Sequence, residues 1–127
     1  MTKILIVDDD LDFLETTEII LKNHNFEVLT TSEPAQIYQA IVTFIPNVIL
    51  LDIHLNGEDG RNICKGLKNH FKTKHVPIIL CSGDIEAKND YPRNLVDDFI
   101  EKPFEYESLI IRLNEYPKKS PFVTKVA

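Results

Sequence analysis

The segment Asn47-Val48-Ile49-Leu50-Leu51-Asp52 is an uninterrupted apolar run that ends in a carboxylate. A run this short and this rich in branched residues predicts a strand buried on both faces, the kind found inside parallel sheets. A charge at the end of a buried strand is unfavourable unless something compensates it. Asp52 must therefore emerge at the edge of a sheet, have partners, or both. The rest of the chain can be read for what would stand around it.

Lys3 to Val7 is a second apolar run, followed at once by Asp8-Asp9-Asp10. A helical pattern spans about Leu11 to His24, with Leu14, Thr17, Ile20 and Leu21 on one side, Asp10 as N-cap and Asp12 in the positive first turn. Phe26 to Thr30 reads as a less apolar strand nearer an edge. Ser32-Glu33-Pro34 opens a second helix, with Ile37, Tyr38, Ile41, Val42 and Ile45 as its stripe and Pro46 as its end. After Asp52, His54 to Gly60 is a polar loop, and a third helix from about Arg61 to His70 is expected to bury Ile63, Cys64, Leu67 and Phe71. Val76 to Cys81 is a fourth strand ending at Ser82-Gly83. Between Asp84 and Asp97 the pattern allows only a short helix over Ile85 to Lys88, which Asn89-Asp90-Tyr91-Pro92 interrupts. Asp98 to Glu101 is a fifth strand, followed by Lys102-Pro103-Phe104 and a last helix from about Tyr106 to Glu115. His24, His70 and His75 are expected at the surface.

Strands alternating with helices predict a doubly wound α/β fold, a parallel sheet with helices on both faces in three layers. Such sheets bind ligands beyond the carboxyl ends of their strands. At that edge the chain would gather Asp8 and Asp9, Asp52, Ser82 and Lys102: three carboxylates, a hydroxyl and an amine. Three close carboxylates repel one another, and a hard divalent cation relieves this by taking oxygen ligands. The set suits Mg²⁺ with an oxyanion, and His or Cys ligands for zinc are missing from it. A carboxylate can also be the nucleophile of phosphoryl transfer, with Lys102 and Ser82 supplying charge and a donor to the transferring group.

With these residues in this order the chain resembles the receiver domain of two-component response regulators. The motifs are Asp8-Asp9 after the first strand, Asp52 after the third, Ser82 after the fourth and Lys102-Pro103 after the fifth, with Leu55 and Gly60 three and eight residues past Asp52. The resemblance covers about residues 3–115. It implies a five-stranded sheet of order 2-1-3-4-5, and a division into a receiver domain over 1–116 and a tail or linker over 117–127. It implies that Asp52 accepts a phosphoryl group from a sensor histidine kinase or a histidine phosphotransfer protein. Asp8, Asp9, Asp52 and the backbone carbonyl of His54 would hold Mg²⁺, Asp8 mainly through water. Lys102 would pair with the acceptor and then with the phosphate, across a cis Lys102-Pro103 bond. Ser82 and Phe99 would form a switch, Ser82 moving to the phosphate and Phe99 turning into the vacated space. Such a domain is regulatory, an enzyme only in its own phosphorylation and dephosphorylation, and an output domain or target would lie outside this chain.

Three departures stand out. Asn56 occupies a place where many members have Pro, which predicts a looser loop. Phe99 lacks the hydroxyl of the commoner Tyr. The broken Asp84–Asp97 segment puts the fourth-helix face in question. His54 and Asp84, flanking the site, would tune the rate at which the phosphate hydrolyses.

Other functions fit less well. A Mg²⁺-dependent phosphatase with Asp52 as nucleophile, of the haloacid-dehalogenase type, would have a second acid two residues on, where His54 stands. A flavodoxin-like binding module would show a glycine-rich phosphate loop, and neither GxGxxG nor GxxxxGK occurs. The net charge of −6 argues against direct nucleic-acid contact. No apolar run approaches the roughly 20 residues that span a membrane. The start runs straight into a strand, so no signal peptide is expected. Cys64 and Cys81, without metal-ligand spacing, suit reduced thiols and a cytoplasmic location.

Overall fold

A computed structural model of the chain describes residues 1–116; the tail expected over 117–127 lies outside the described residues. Five parallel strands, β1 (Thr2–Val7), β2 (Phe26–Thr31), β3 (Val48–Asp52), β6 (Ile78–Ser82) and β7 (Asp98–Glu101), form one sheet. Its order is β2-β1-β3-β6-β7. Two short strands, β4 (His54–Leu55) and β5 (Glu58–Asp59), form a separate antiparallel hairpin. With the hairpin set aside, the order is the expected 2-1-3-4-5.

The apolar runs explain the layering. Every residue of β3 and of β6 is buried, so side chains of both parities need cover. Leu5, Val7, Ile49, Leu51, Ile78 and Leu80 point to one face, where α2 (Ile37–Phe44) and α3 (Gly60–Lys68) add Ile41, Cys64 and Leu67. Ile4, Ile6, Leu50 and Ile79 point to the other, covered by Leu14 and Leu21 of α1 (Leu11–Lys22) and by Leu109 and Leu113 of α4 (Tyr106–Leu113). Each such side chain contributes about 1.5–3 kcal/mol by leaving water. In β2, Phe26 and Val28 are buried while Glu27 is exposed, the alternation of an edge strand.

Helix boundaries follow local chemistry. Asp10 caps α1, its carboxylate accepting the Phe13 amide at 3.1 Å. Pro34–Gln36 forms a 3₁₀ turn before α2 proper. Ile37 and Ile41 are buried, but Tyr38 and Val42 face outward, so the apolar stripe of α2 is narrower than expected. Ile45 closes α2 in the left-handed region at φ 54°, an unusual conformation for a β-branched residue, immediately before Pro46. Asp59 caps α3, accepting the Arg61 amide at 2.8 Å.

Phe71, expected in the core, is 72 % exposed. The reason is a turn. α3 stops at Lys68, and the Thr73 hydroxyl donates to the Leu67 carbonyl at 2.6 Å. Thr73 thereby takes the buried place and Phe71 is carried outward. Cys64 and Cys81 are both buried free thiols. The expected short helix after Ser82 is a single 3₁₀ turn, Glu86–Asn89, from which only Ala87 is buried.

Candidate functional site

The four strand ends do converge. β1 delivers Asp8 and Asp9, β3 Asp52 and β6 Ser82, and Lys102 follows β7. Asp8, Asp52 and Ser82 are 1 %, 7 % and 1 % exposed. One carboxylate oxygen from each of Asp8, Asp9 and Asp52 lies within 4.8 Å of the others. Lys102 reaches over them, its Nζ 2.5 Å from Asp8 Oδ2 and 3.5 Å from Asp52 Oδ2. The lysine expected to pair with Asp52 is therefore held more closely by Asp8. The Lys102-Pro103 bond is cis, as expected, and the Lys102 amide donates to the Ser82 carbonyl at 2.9 Å, tying the two strand ends together.

The loop after Asp52 is not loose. Asn56 and Gly57 have φ of 47° and 86°, the two positive values of a type I′ hairpin turn between β4 and β5. Proline, with φ fixed near −65°, cannot take the Asn56 conformation. Asn-Gly is the pair this turn favours, so the loop is a tight turn and not the looser one expected. The turn also serves the site: the Asn56 amide donates to Asp9 Oδ2 at 3.1 Å. Gly60 closes the loop, its amide donating to the Ile53 carbonyl at 2.6 Å. A Cβ on Gly60 would lie 2.2 Å from the Asp52 carbonyl oxygen, so only glycine lets α3 start this near the aspartate.

Electrostatics show a shortage of positive charge. Burial, and then the Asp8 charge, push the Asp52 carboxyl up to about 6, against the opposing pull of Lys102 and of the His54 amide. Burial alone would lower the Lys102 ammonium, but its hydrogen bond to Asp8 and the Asp52 charge hold it above its ordinary value. Burial pushes the neighbouring Cys81 thiol up to about 12, leaving it unreactive. One lysine does not neutralise three carboxylates, and the donor set is oxygen only. This fits a hard divalent cation such as Mg²⁺ and not zinc.

The other expected residues sit around this centre. The Ser82 hydroxyl accepts the Asp84 amide at 3.0 Å. The His54 amide lies 3.4 Å from Asp52 Oδ1, a long contact, while its ring nitrogen lies 3.8 Å from Asp84 on the exposed rim. Phe99 is half-buried and stacked on Tyr91, centroids 5.1 Å apart. Two contacts were not foreseen. The Lys102 ammonium sits 4.1 Å from the centre of the Phe13 ring, which packs edge-on against Phe104. Arg61 grips Asp59 through two nitrogens and donates from a third to the Asp90 carbonyl at 2.8 Å, linking the loop after β3 to the segment after β6.

The comparisons with known proteins agree with this geometry. The family model described as "Response regulator receiver domain" matches residues 4–114. The phosphate regulon transcriptional regulatory protein PhoB of Pseudomonas aeruginosa is 35% identical over 112 residues, spanning 87% of this chain and 49% of that protein. The transcriptional regulatory protein GltR of the same organism is 29% identical over 125 residues, spanning 94% and 50%. The chain thus spans about half the length of these curated relatives. The crystal structure of the receiver domain of NtrX from Brucella abortus superposes with a TM-score of 0.78 at 31% identity, covering 88% of this chain and 95% of that one. A match of this extent, in sequence and in strand order, places the chain in the response regulator receiver domain family.

Proposed function

We propose that this domain accepts a phosphoryl group on Asp52 from a phosphohistidine of a sensor histidine kinase or a phosphotransfer protein, and that the modification changes its contacts with a partner or an output domain. The observation that carries this reading is the gathering of the Asp8, Asp9 and Asp52 carboxylates within 4.8 Å of one another beneath the Lys102 ammonium.

Asp8, Asp9, Asp52 and the His54 carbonyl are the groups that would hold Mg²⁺, Asp8 mainly through water. The ion, when bound, would supply positive charge to the phosphoryl oxygens. Asp52 is the nucleophile: its carboxylate oxygen forms the bond to phosphorus as the phosphorus–nitrogen bond of the donor breaks, and the electron pair stays with the imidazole. The buried β3 backbone and Gly60 hold that oxygen in place. Lys102, released from part of its pairing with Asp8, stabilises charge on the phosphoryl oxygens. The product exchanges the single charge of the carboxylate for the roughly −2 of a phosphoryl group, at a site already short of cations. Ser82 Oγ turns from the Asp84 amide to donate to the new oxyanion, and Phe99 leaves Tyr91 to fill the space behind it.

Incubation with a small phosphodonor and Mg²⁺, followed by intact-mass measurement, tests this. One added phosphoryl is expected, labile to hydroxylamine, absent in Asp52→Asn and abolished by chelation. An unchanged mass under conditions in which an established receiver reacts would refute the reading. Steady phosphoester turnover without an adduct would point to a phosphatase.

A further inference from the structure

At the amino-terminal edge of the sheet, opposite Asp52, lies a groove of about 330 Å³. Ile41, Val42 and Ile45 of the α2 end form one wall, and Phe71 and Val76 the other. Val42 is 39 % exposed and Phe71 72 %, so this apolar surface is open to water. It is also well ordered by local contacts. Tyr38, His70 and Phe71 form a ladder of rings with successive centroids 5.1 Å apart. Lys68 Nζ donates to the Val76 carbonyl at 2.6 Å and to the Lys74 carbonyl at 3.3 Å, fixing the turn that makes the second wall.

The charge around this groove is opposite to that of the chain. The net charge is −6, yet residues 62–83 contain Lys65, Lys68, Lys72 and Lys74 and no Asp or Glu. Residues 34–51, which supply the other wall, contain no charged residue at all. Lys72 stands at the groove itself, its ammonium 5.8 Å from the Phe71 ring centre, beside the His75 ring, which burial and the Lys68 charge keep neutral. Asp97 borders the next hollow, beyond Lys68 and Lys74, and does not line this one. An exposed apolar groove rimmed by one sign of charge is the form of a binding surface, with the apolar walls giving affinity and the charge giving selection and steering.

We infer that this groove is a docking site for an acidic segment of a partner protein, seated by one or two apolar or aromatic side chains between Ile45 and Phe71. A nucleic-acid backbone would meet the lysines but leave the concave apolar walls unfilled. The inference does not depend on phosphoryl acceptance at the opposite edge.

Peptide display on the immobilised protein tests it, with counter-selection against the variant carrying Phe71→Ser and Lys72→Glu. Both side chains are exposed, and circular dichroism with urea unfolding verifies that the variant folds; Lys72→Glu alone serves if it does not. Selected peptides are expected to place Asp or Glu on both sides of Phe, Leu or Trp. A synthetic peptide of that sequence is expected to shift the amide resonances of 41–45 and 71–76. Its affinity should fall about tenfold in Lys72→Glu and should weaken as salt rises. No enrichment, or peptides that bind the variant equally well, would overturn the inference. So would a wild-type dimer that Phe71→Ser dissociates, or preferential binding of phosphatidylserine vesicles or of an oligonucleotide.

Discussion

Two segments flank Asp52, and they are built in opposite ways. The loop after β3 is held mainly by backbone: a type I′ turn, a two-rung hairpin and Gly60 pressed on the Asp52 carbonyl. The segment after β6 has one 3₁₀ turn, with Ala87 buried beneath it and Ile85 75 % exposed. Beyond a few turn hydrogen bonds and the packing of Leu95 and Val96 on the core, surface side chains hold that segment. Arg93 donates to the Lys88 carbonyl, Lys88 pairs with Glu101 at 2.7 Å and Tyr91 stacks on Phe99. Backbone constraints fix a position, whereas surface ties of this kind are individually weak and open locally. The first loop sets where the carboxylate stands, and the second is the more loosely tied of the two.

The contrast is open to attack, most severely at its glycines. Gly60→Ala is expected to cost about 3 kcal/mol or more in urea unfolding and to abolish phosphoryl uptake, since no backbone there can yield 2.2 Å contacts. Gly83→Ala, whose Cβ would meet nothing nearer than 3.8 Å, should change stability by less than about 0.5 kcal/mol. Equal losses from the two would erase the distinction.

Next in size is the cost of holding Asp52 in place. Its folded value of about 6 lies above the unfolded 3.8. The folded state therefore binds the proton more tightly, and the stability this contributes is present below pH ~4 and lost as pH rises through ~6. Without metal the protein should lose on the order of 3 kcal/mol across that window, and Asp52→Asn should remove most of the loss. Mg²⁺ should raise the melting temperature at pH 8 and have little effect at pH 4. A flat profile would mean that the rigid loop imposes no strain on the charge.

Asn56→Pro tests the hairpin more gently. It forbids φ of 47° and removes the amide that Asp9 accepts. A loss of about 2 kcal/mol is expected, with Mg²⁺ affinity falling in calorimetric titration. Smaller than the loss at Asn56 should be that of Tyr91→Leu, at about 1 kcal/mol. Its effect should concentrate in faster amide exchange over residues 84–97, with the hairpin amides unmoved.

The same contrast governed what could be read from the residues. β1, β3 and β6 are continuous branched apolar runs, and such runs announce buried parallel strands directly. Once their order was inferred, Asp8, Asp9, Asp52, Ser82 and Lys102 were bound to meet at one edge. The hairpin escaped because its strands are two residues long, too short for any alternation to register. Phe71 was misplaced because the end of α3 is decided by the Thr73 hydroxyl, a contact that helical spacing does not encode. Gly60 carried a signal by position, but its reason is a backbone contact across the fold. Phe13 falls within the apolar stripe of α1 and packs on the core, but only the closed sheet brings Lys102 over its ring.

Lys102 bonds Asp8 across 94 residues and Asp52 across 50. During synthesis the three aspartates emerge long before the lysine does. A chain interrupted anywhere short of β7 can hold the acids but never the complete constellation. Assembly of the cluster around Asp52 is thus a late event in the life of each molecule, complete only when β7 has joined the sheet.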